Sequence, residues 1–544
     1  MKKTRWNRVL VVFLFFTFTG CFPDENIETS FISKNEQHLL PTAPKWERVG
    51  VDSFNKEAID GSQRVCHVSY DGRYVMFESA ATNLVSGDTN GFSDIFLKDR
   101  QLGTTTLLSV KADGTQANGD SQCGADSRGM SADGNWAVFV SDATNLLSDI
   151  TLTTNFKNVY LLHVPTGKIQ MLNAPYQFPD RMPEIDSGDV RISNDGQFVV
   201  FASEDRFIGS VPRTSWMRSL YLYDMKKSSV SMLTGGLNYV GEPDISADGR
   251  YIVFSTHDEL DFKKPRSISY FTQVILLDVF YMTSTKLLYN PPITDQYPTL
   301  FLNTKPTIDD WGTRVGYTTT ITYEDLPDFS SAYVYDVKSK KTISVDRDSS
   351  GNLANGTVFQ TVISPTGTQV LFTSSADNLS LVDTSGQTNV YLHNLNLGQT
   401  DLVSSATFLS LANGPSKQPV FSGDERFVSL ASLASNLVTD DKNGLVDAFI
   451  VPLNHSPKSD FVANFVYKST PPFYDSLNLS LDGSKSVDDD GTVESWDWDF
   501  GDGKTGTGMT LVHKYTAPGS YDVTLIVTDN KGAIGKKTRT IVMY

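Results

Sequence analysis

Two stretches of the 544-residue chain repeat one arrangement of oxygen-bearing side chains. They are Asp88-Thr-Asn90-Gly-Phe-Ser-Asp94 and Asp441-Lys-Asn443-Gly-Leu-Val-Asp447, both of the form D-x-N-G-x-x-D. A softened copy follows the same outline at Asp383-Thr-Ser385-Gly-Gln-Thr-Asn389. Oxygen ligands at alternate positions ahead of a Gly turn suit a hard cation. Asp88, Asn90, Asp94, Asp383, Asn389, Asp441, Asn443 and Asp447 are therefore the expected metal ligands, and Ca2+ the expected ion. The competing reading is turn chemistry, in which Asp and Asn bond the backbone two residues on and no ion is needed.

Other chemistry is sparse. The chain has no H-E-x-x-H and no G-x-S-x-G, and its seven histidines (38, 67, 163, 257, 393, 455, 513) are scattered. The GKT at 503–505 lacks the earlier glycine of a phosphate loop. Acidic residues are abundant, but no pair stands out for glycoside cleavage. The formal net charge of -17 argues against nucleic acid and anionic lipid headgroups as partners. Besides Cys21, the only cysteines are Cys66 and Cys123, which are expected to form a disulfide in an exported protein.

The elements that position these residues are repeats. Near-copies of SYDGRYVMFES (69–79) recur along the chain. With the turn at Asp71 as anchor, equivalents fall at Asp133, Asp195, Asp248, Trp311, Thr366 and Asp424. Six residues after each stands a large apolar side chain: Phe77, Phe139, Phe201, Phe254, Tyr317, Phe372 and Leu430. Each copy adds a strand pattern such as DIFLKD or NVYLLH, then another such as TTTLLSV. Every unit thus holds four short strands rich in β-branched and aromatic residues. Seven such units in series, almost without helical periodicity, predict a seven-bladed β-propeller over residues 45–453. The seventh unit ends at DAFIVPL without an outer strand, so residues 46–51 are expected to pair with 447–453 and close the ring.

Parity orients the blades. First-to-second and third-to-fourth turns share one face and are tight. Second-to-third loops and blade-to-blade links share the other face and are long and varied. Long loops on a rigid scaffold are the usual place for recognition. The expected ligand-binding set is Trp216, Arg218, Lys263, Lys264 and Tyr270, in loops of blades 3 and 4 on the long-loop face.

The S-x-D-G-R-Y-V-x-F core, the A-x-N-L-V segment and the D-I-F-x-x-D strand resemble the TolB-like propeller repeats of exported bacterial proteins. The likeness is strongest in blades 1, 2, 6 and 7; blades 3 to 5 lack N-L-V. Residues 459–544 closely resemble a PKD (polycystin-type) domain, through LDGSKSVDDDGTVESWDWDFGDG and HKYTAPGSYDVTLIVTDNKG. That resemblance implies an immunoglobulin-like β-sandwich serving as a spacer or contact module. The expected fold class is all-β: a seven-bladed propeller followed by this sandwich. Strand alternation leads to the expectation that one of Trp496 and Trp498 faces the core and the other faces outward.

Residues 1–20 carry Lys2, Lys3, Arg5 and Arg8 ahead of VLVVFLFFTFTG, a signal-peptide layout. It ends at FTGC, which resembles the bacterial lipobox. The resemblance implies lipidation of Cys21 and a membrane partner, with residues 21–44 as a flexible polar tether. Phe22 is not the Asp that retains lipoproteins at the inner membrane in enteric-type bacteria, which implies an outer-membrane anchor. Two function classes follow. One is a non-enzymatic surface protein that binds a protein or glycan. The other is an extracellular carbohydrate- or peptide-processing enzyme, a hydrolase or lyase. A cluster of carboxylates or His at the channel mouth favours the second.

Overall fold

The computed structural model describes residues 45–544 except 125–127, 148–151, 153–155, 174–186, 205–217, 235–239, 258–269, 288–299, 323–327, 349–350, 380–383, 385, 397, 408–409, 454–456, 468–469, 471–473, 489–490 and 531–533. Among the described residues, seven four-stranded antiparallel sheets run in series. Blade 1 consists of Gln63–Val68, Tyr74–Ser79, Asp94–Asp99 and Thr104–Leu107, from the axis outward. Blades 2 to 6 span residues 121–171, 187–232, 240–287, 300–344 and 358–402. Two parallel pairs, Tyr270–Leu300 and Phe271–Phe301, also join blade 4 to blade 5.

Blade 7 is completed from both ends of the propeller. Ser416–Phe421, Phe427–Ser432 and Asp447–Pro452 take their fourth strand from Glu47–Arg48. Glu47 pairs with Ile450 and Arg48 with Phe449. The closure leaves no open edge between first and last blades.

The repeated column of large apolar residues is the packing between blades. Phe77, Phe139, Phe201, Tyr317 and Phe372 are fully buried and lie directly opposite Phe96, Tyr160, Tyr221, Tyr333 and Tyr391. The rings stack with centroids 5.4–5.9 Å apart. Each such pair adds about 1 kcal/mol beyond the area it buries.

The Asp-Gly anchors are the first-to-second turns. Gly72 has φ +73°, and a Cβ there would lie 2.4 Å from the Phe427 ring, so glycine is required twice over. The Asp71 carboxylate accepts from Ser69 Oγ and the Arg73 amide, which fixes the turn. Blade 7 puts Glu425 in the left-handed region instead, at φ 61°.

The C-terminal domain has a sheet of three strands (Val462–Tyr467, Tyr474–Asp482, Thr510–Lys514) and one of four (Thr505–Thr507, Val493–Asp499, Gly519–Asp529, Ile534–Met543). Phe461, Leu481, Trp498, Tyr515 and Leu525 are in its core. The expectation for the two tryptophans fails. Trp498 is buried, with Nε1 donating to Gly508 O; Trp496 packs against the same core and donates to Gly483 O. Alternation has a period of two, so residues two apart share a face.

Candidate functional site

Each blade's innermost strand presents one side chain two positions before its first-turn Ser or Asp. In order these are His67, Gly129, Arg191, Asp244, Thr307, Val362 and Val420. In blades 3, 4, 5 and 7 a bulge in this strand puts a non-glycine residue in a left-handed conformation, at Asp189, Glu242, Lys305 and Gln418, and in blade 2 Arg128 takes the same conformation beside Gly129.

Arg128 reaches across the channel from blade 2. Its guanidinium donates to Asn194 Oδ1 of blade 3 at 3.0 Å and to Asp310 Oδ1 of blade 5 at 2.9 Å. It also donates to the Ile308 carbonyl at 3.0 Å, and Nε lies 3.3 Å from Asp244 Oδ1 of blade 4. Asp244 accepts the Ile308 amide through Oδ2, and Arg191 Nε stands 3.8 Å from Oδ1. Burial opposes the charge of Arg128, but Asp244 and Asp310 outweigh it and raise its pKa.

His67 shares this space. Neither ring nitrogen has a hydrogen-bond partner among the described residues, and burial, with Arg128 close by, lowers its pKa to about 3. The imidazole is therefore neutral. The cavity left among these groups, lined on its far side by Val362, Ile363, Val420 and Phe421, is about 50 Å3. A water needs roughly 10–15 Å3 of such volume, so the space suits a few waters and no sugar ring.

The D-x-N-G-x-x-D loops lie on the long-loop face and bond to themselves. Asn90 Nδ2 donates to Asp94 Oδ2 at 2.7 Å, while Asn90 Oδ1 accepts the Phe92 amide at 3.1 Å. Asn443 repeats this with Asp447 and the Leu445 amide. An amide nitrogen aimed at a carboxylate is turn geometry, since a cation would draw the oxygen instead. Among the described residues no three His, Cys, Asp or Glu come together as a metal-holding group.

Asp94 and Asn389 have a second duty. Each opens the third strand of its blade and accepts from a hydroxyl fifteen residues on, Ser109 Oγ at 2.5 Å and Ser404 Oγ at 2.9 Å. Asn158–Asn173 and Ser331–Asp346 repeat this latch. In blade 7 the equivalent of Ser109 is Gly50, and Gln63 fills the space, donating to Gly50 O and accepting the Ala448 amide. Asp447 instead faces Arg48 at 3.6 Å, which also holds Glu57 and Asp440. Burial pushes Asp94 up to about 6 and Asp447 up to about 7, and raises Asp88 and Asp441. Asp383 lies outside the described residues.

Of the expected ligand-binding set, Trp216, Lys263 and Lys264 lie outside the described residues. Arg218 is tied to Asp189 at 2.5 Å, and Tyr270 stands in register with Leu300. Cys21 lies outside the described residues too. Cys66 and Cys123 are joined as a disulfide between blades 1 and 2, with Cα atoms 5.5 Å apart.

Sequence reasoning missed the channel cluster of His67, Arg128, Asp244 and Asp310. The aligned inner-strand column carries a signal for it. Val362 and Val420 are the apolar residues expected there, and His67, Arg191 and Asp244 depart from them.

The family model "PKD domain" matches residues 469–543. Collagenase ColA of Clostridium perfringens is 36% identical over 91 residues, covering 17% of this chain and 8% of the relative. The chain thus spans less than a tenth of that relative's length. Among solved structures, an oligogalacturonate lyase from Vibrio parahaemolyticus covers 75% of this chain and 97% of its own, at 12% identity and TM-score 0.44. TolB from Acinetobacter baumannii covers 70% and 81%, at 12% identity and TM-score 0.32. The chain is a β-propeller followed by a C-terminal PKD domain.

Proposed function

We propose that this chain is an exported, lipid-anchored binding protein that contacts a protein or glycan through the long-loop face of its propeller. One observation carries the reading. At the channel, where an enzyme would present free carboxylates or His to a substrate, Asp244 and Asp310 are tied to Arg128 beside a cavity of about 50 Å3. Neutralised carboxylates with no room for a sugar or peptide do not serve as acid, base or nucleophile. The long loops meanwhile sit on a scaffold closed on itself. Cys21 carries the lipid and residues 22–44 the tether, and the PKD domain adds a second contact module. The mature protein on a glycan array and in crosslinking to envelope proteins should show a saturable ligand, with no turnover in glycoside-hydrolase, lyase and peptidase assays on the same sample. Turnover abolished by Asp244→Asn would sink this reading in favour of the enzyme.

A further inference from the structure

The tight-turn face carries a feature that its turns have no structural use for. In blade 5 the anchor position held by Asp in five other blades is Trp311, 71% exposed. Asp309, two residues earlier, takes over the turn, accepting from the Thr313 amide and hydroxyl. Trp311 is thereby released from any role in the hairpin.

Blade 4 presents a matching departure beside it. Its third-to-fourth turn reads Phe280-Tyr281-Met282, with exposures of 78%, 64% and 60%. Met282 occupies the left-handed position at φ 51°, where blades 1, 2 and 6 have Gly103, Gly167 and Gly398. A Met there is strained where Gly would be relaxed, and it gains no burial in return. The two turns adjoin: Arg250 lies over Tyr251 and Tyr281, and Gly312 packs on the Tyr251 ring.

Lysines flank these tips. The corresponding turn of blade 3 carries exposed Lys226 and Lys227, and that of blade 5 carries exposed Lys338, Lys340 and Lys341. Carboxylates share the face: Asp224, Asp278 and Asp336 pair with Lys227, Arg250 and Arg314, and exposed Asp195 and Asp248 accept from the serine hydroxyl and an amide of their own hairpins, which leaves the flanking charge to Lys226, Lys338, Lys340 and Lys341. Protruding Trp, Phe, Tyr and Met between lysines match the interfacial zone of an anionic bilayer. They are convex hairpin tips and offer a peptide no groove. The chain also enters the propeller on this face, because Glu47 lies opposite Ile450 near the Pro452 end of its strand.

We propose that the tight-turn face of blades 4 and 5 docks on the surface of an anionic lipid bilayer, through Phe280, Tyr281, Met282 and Trp311 with the flanking lysines. The inference rests in part on the lipid-anchor reading: a coil of about 23 residues spans roughly 25 Å, short enough to bring this face to the bilayer. Those of the chain's net -17 charges that lie more than a Debye length from the contact are screened, so at contact the local lysines decide. Docking holds the long-loop face outward.

The test uses the mature chain with Cys21→Ser, which cannot be lipidated, and vesicles of phosphatidylethanolamine and phosphatidylglycerol. Flotation should show salt-sensitive binding that falls at least tenfold in Phe280→Ser/Tyr281→Ser/Met282→Ser and in Trp311→Ser, with melting temperatures unchanged. Lys338→Glu/Lys340→Glu/Lys341→Glu should lose the phosphatidylglycerol dependence, and Lys442→Glu on the opposite face should change nothing. No binding by the Cys21→Ser chain overturns the proposal. So does vesicle binding indifferent to the tip variants, or loss of a glycan or protein ligand in those variants with vesicle binding intact. Detergent-phase partitioning of the Cys21 chain tests the anchor separately, and its failure leaves the vesicle result standing.

Discussion

Blades 1, 2, 6 and 7 differ from blades 3, 4 and 5 in where they are tied to their neighbours. In the first group the asparagine of an A-x-N-L segment, followed by Val in blades 1 and 7, clamps each incoming link. Asn83 donates to Glu57 O and accepts the Ile59 amide; Asn145 does the same with Gln116 and Asn118. Asn378 and Asn436 repeat the pattern with Leu353 and Asn355, and with Leu411 and Asn413. Blades 3 to 5 lack this asparagine; among the described residues they are tied at the axis, and blades 4 and 5 also through the parallel pairs Tyr270–Leu300 and Phe271–Phe301. Arg128 binds Asn194, Asp244 and Asp310, one from each, and Glu242 Oε2 accepts the Lys305 amide. The second-to-third loops of blades 3 to 5 are the divergent ones in sequence; blades 4 and 5 bear exposed Phe280, Tyr281 and Trp311, and blade 1 exposes Tyr70 in its first turn.

Removing the axial tie should have the largest effect. Arg128→Ala removes the nearer counter-charge of buried Asp244, leaving it only Arg191 at 3.8 Å, and breaks the ion pair of part-buried Asp310; it should cost about 3–5 kcal/mol in chemical unfolding. The disulfide supplements the join between blades 1 and 2. Its reduction, or Cys66→Ser/Cys123→Ser, releases a loop of 57 residues and should cost about 4 kcal/mol on loop entropy, read as a lower denaturation midpoint.

An asparagine clamp should matter less. Asn436→Ala removes two hydrogen bonds whose carbonyl and amide water can reach, and should cost about 0.5–1.5 kcal/mol, with Asn83, Asn145 and Asn378 at least as much.

The smallest effect is a pH dependence in the fifteen-residue latch of blade 5. Burial pushes Asp346 up to about 7, while its carboxyl accepts from Ser331 Oγ. The folded state keeps a proton that the unfolded chain loses above roughly pH 4, so this group's contribution falls as pH rises through about 7. Asp346→Asn should raise the melting temperature at pH 8 and leave it nearly unchanged at pH 4. His67 works oppositely: lowered to about 3 from 6.5, it costs stability as pH falls below 6.5.

The repeat was legible because packing between blades demands a bulky residue at one register, from Phe77 to Leu430, and turn sterics demand Asp-Gly before it. Ring closure was legible because the fourth strand missing at DAFIVPL has its counterpart at Glu47–Arg48. The channel was not, because Arg128 holds a left-handed backbone where the sequence has no glycine at that position, and acts on partners 66 to 182 residues away. N-L-V was visible as a family mark, but only the hydrogen bonds of its asparagine explain it. The exposed tips were hidden for a related reason: Trp311 and Met282 stand where turn chemistry asks for Asp and Gly, and a departure from a repeat shows only once the repeat is aligned in space.

The claim that blades 3 to 5 are held from the axis is tested most directly by amide hydrogen exchange on the Arg128→Ala chain against the wild type, under conditions where both remain folded. Protection should drop in the inner strands Ser187–Ile192, Val240–Ile245 and Leu300–Ile308, and stay unchanged in Val358–Ile363 and Ser416–Phe421. A drop spread evenly over all seven inner strands, or confined to blade 2, would contradict it.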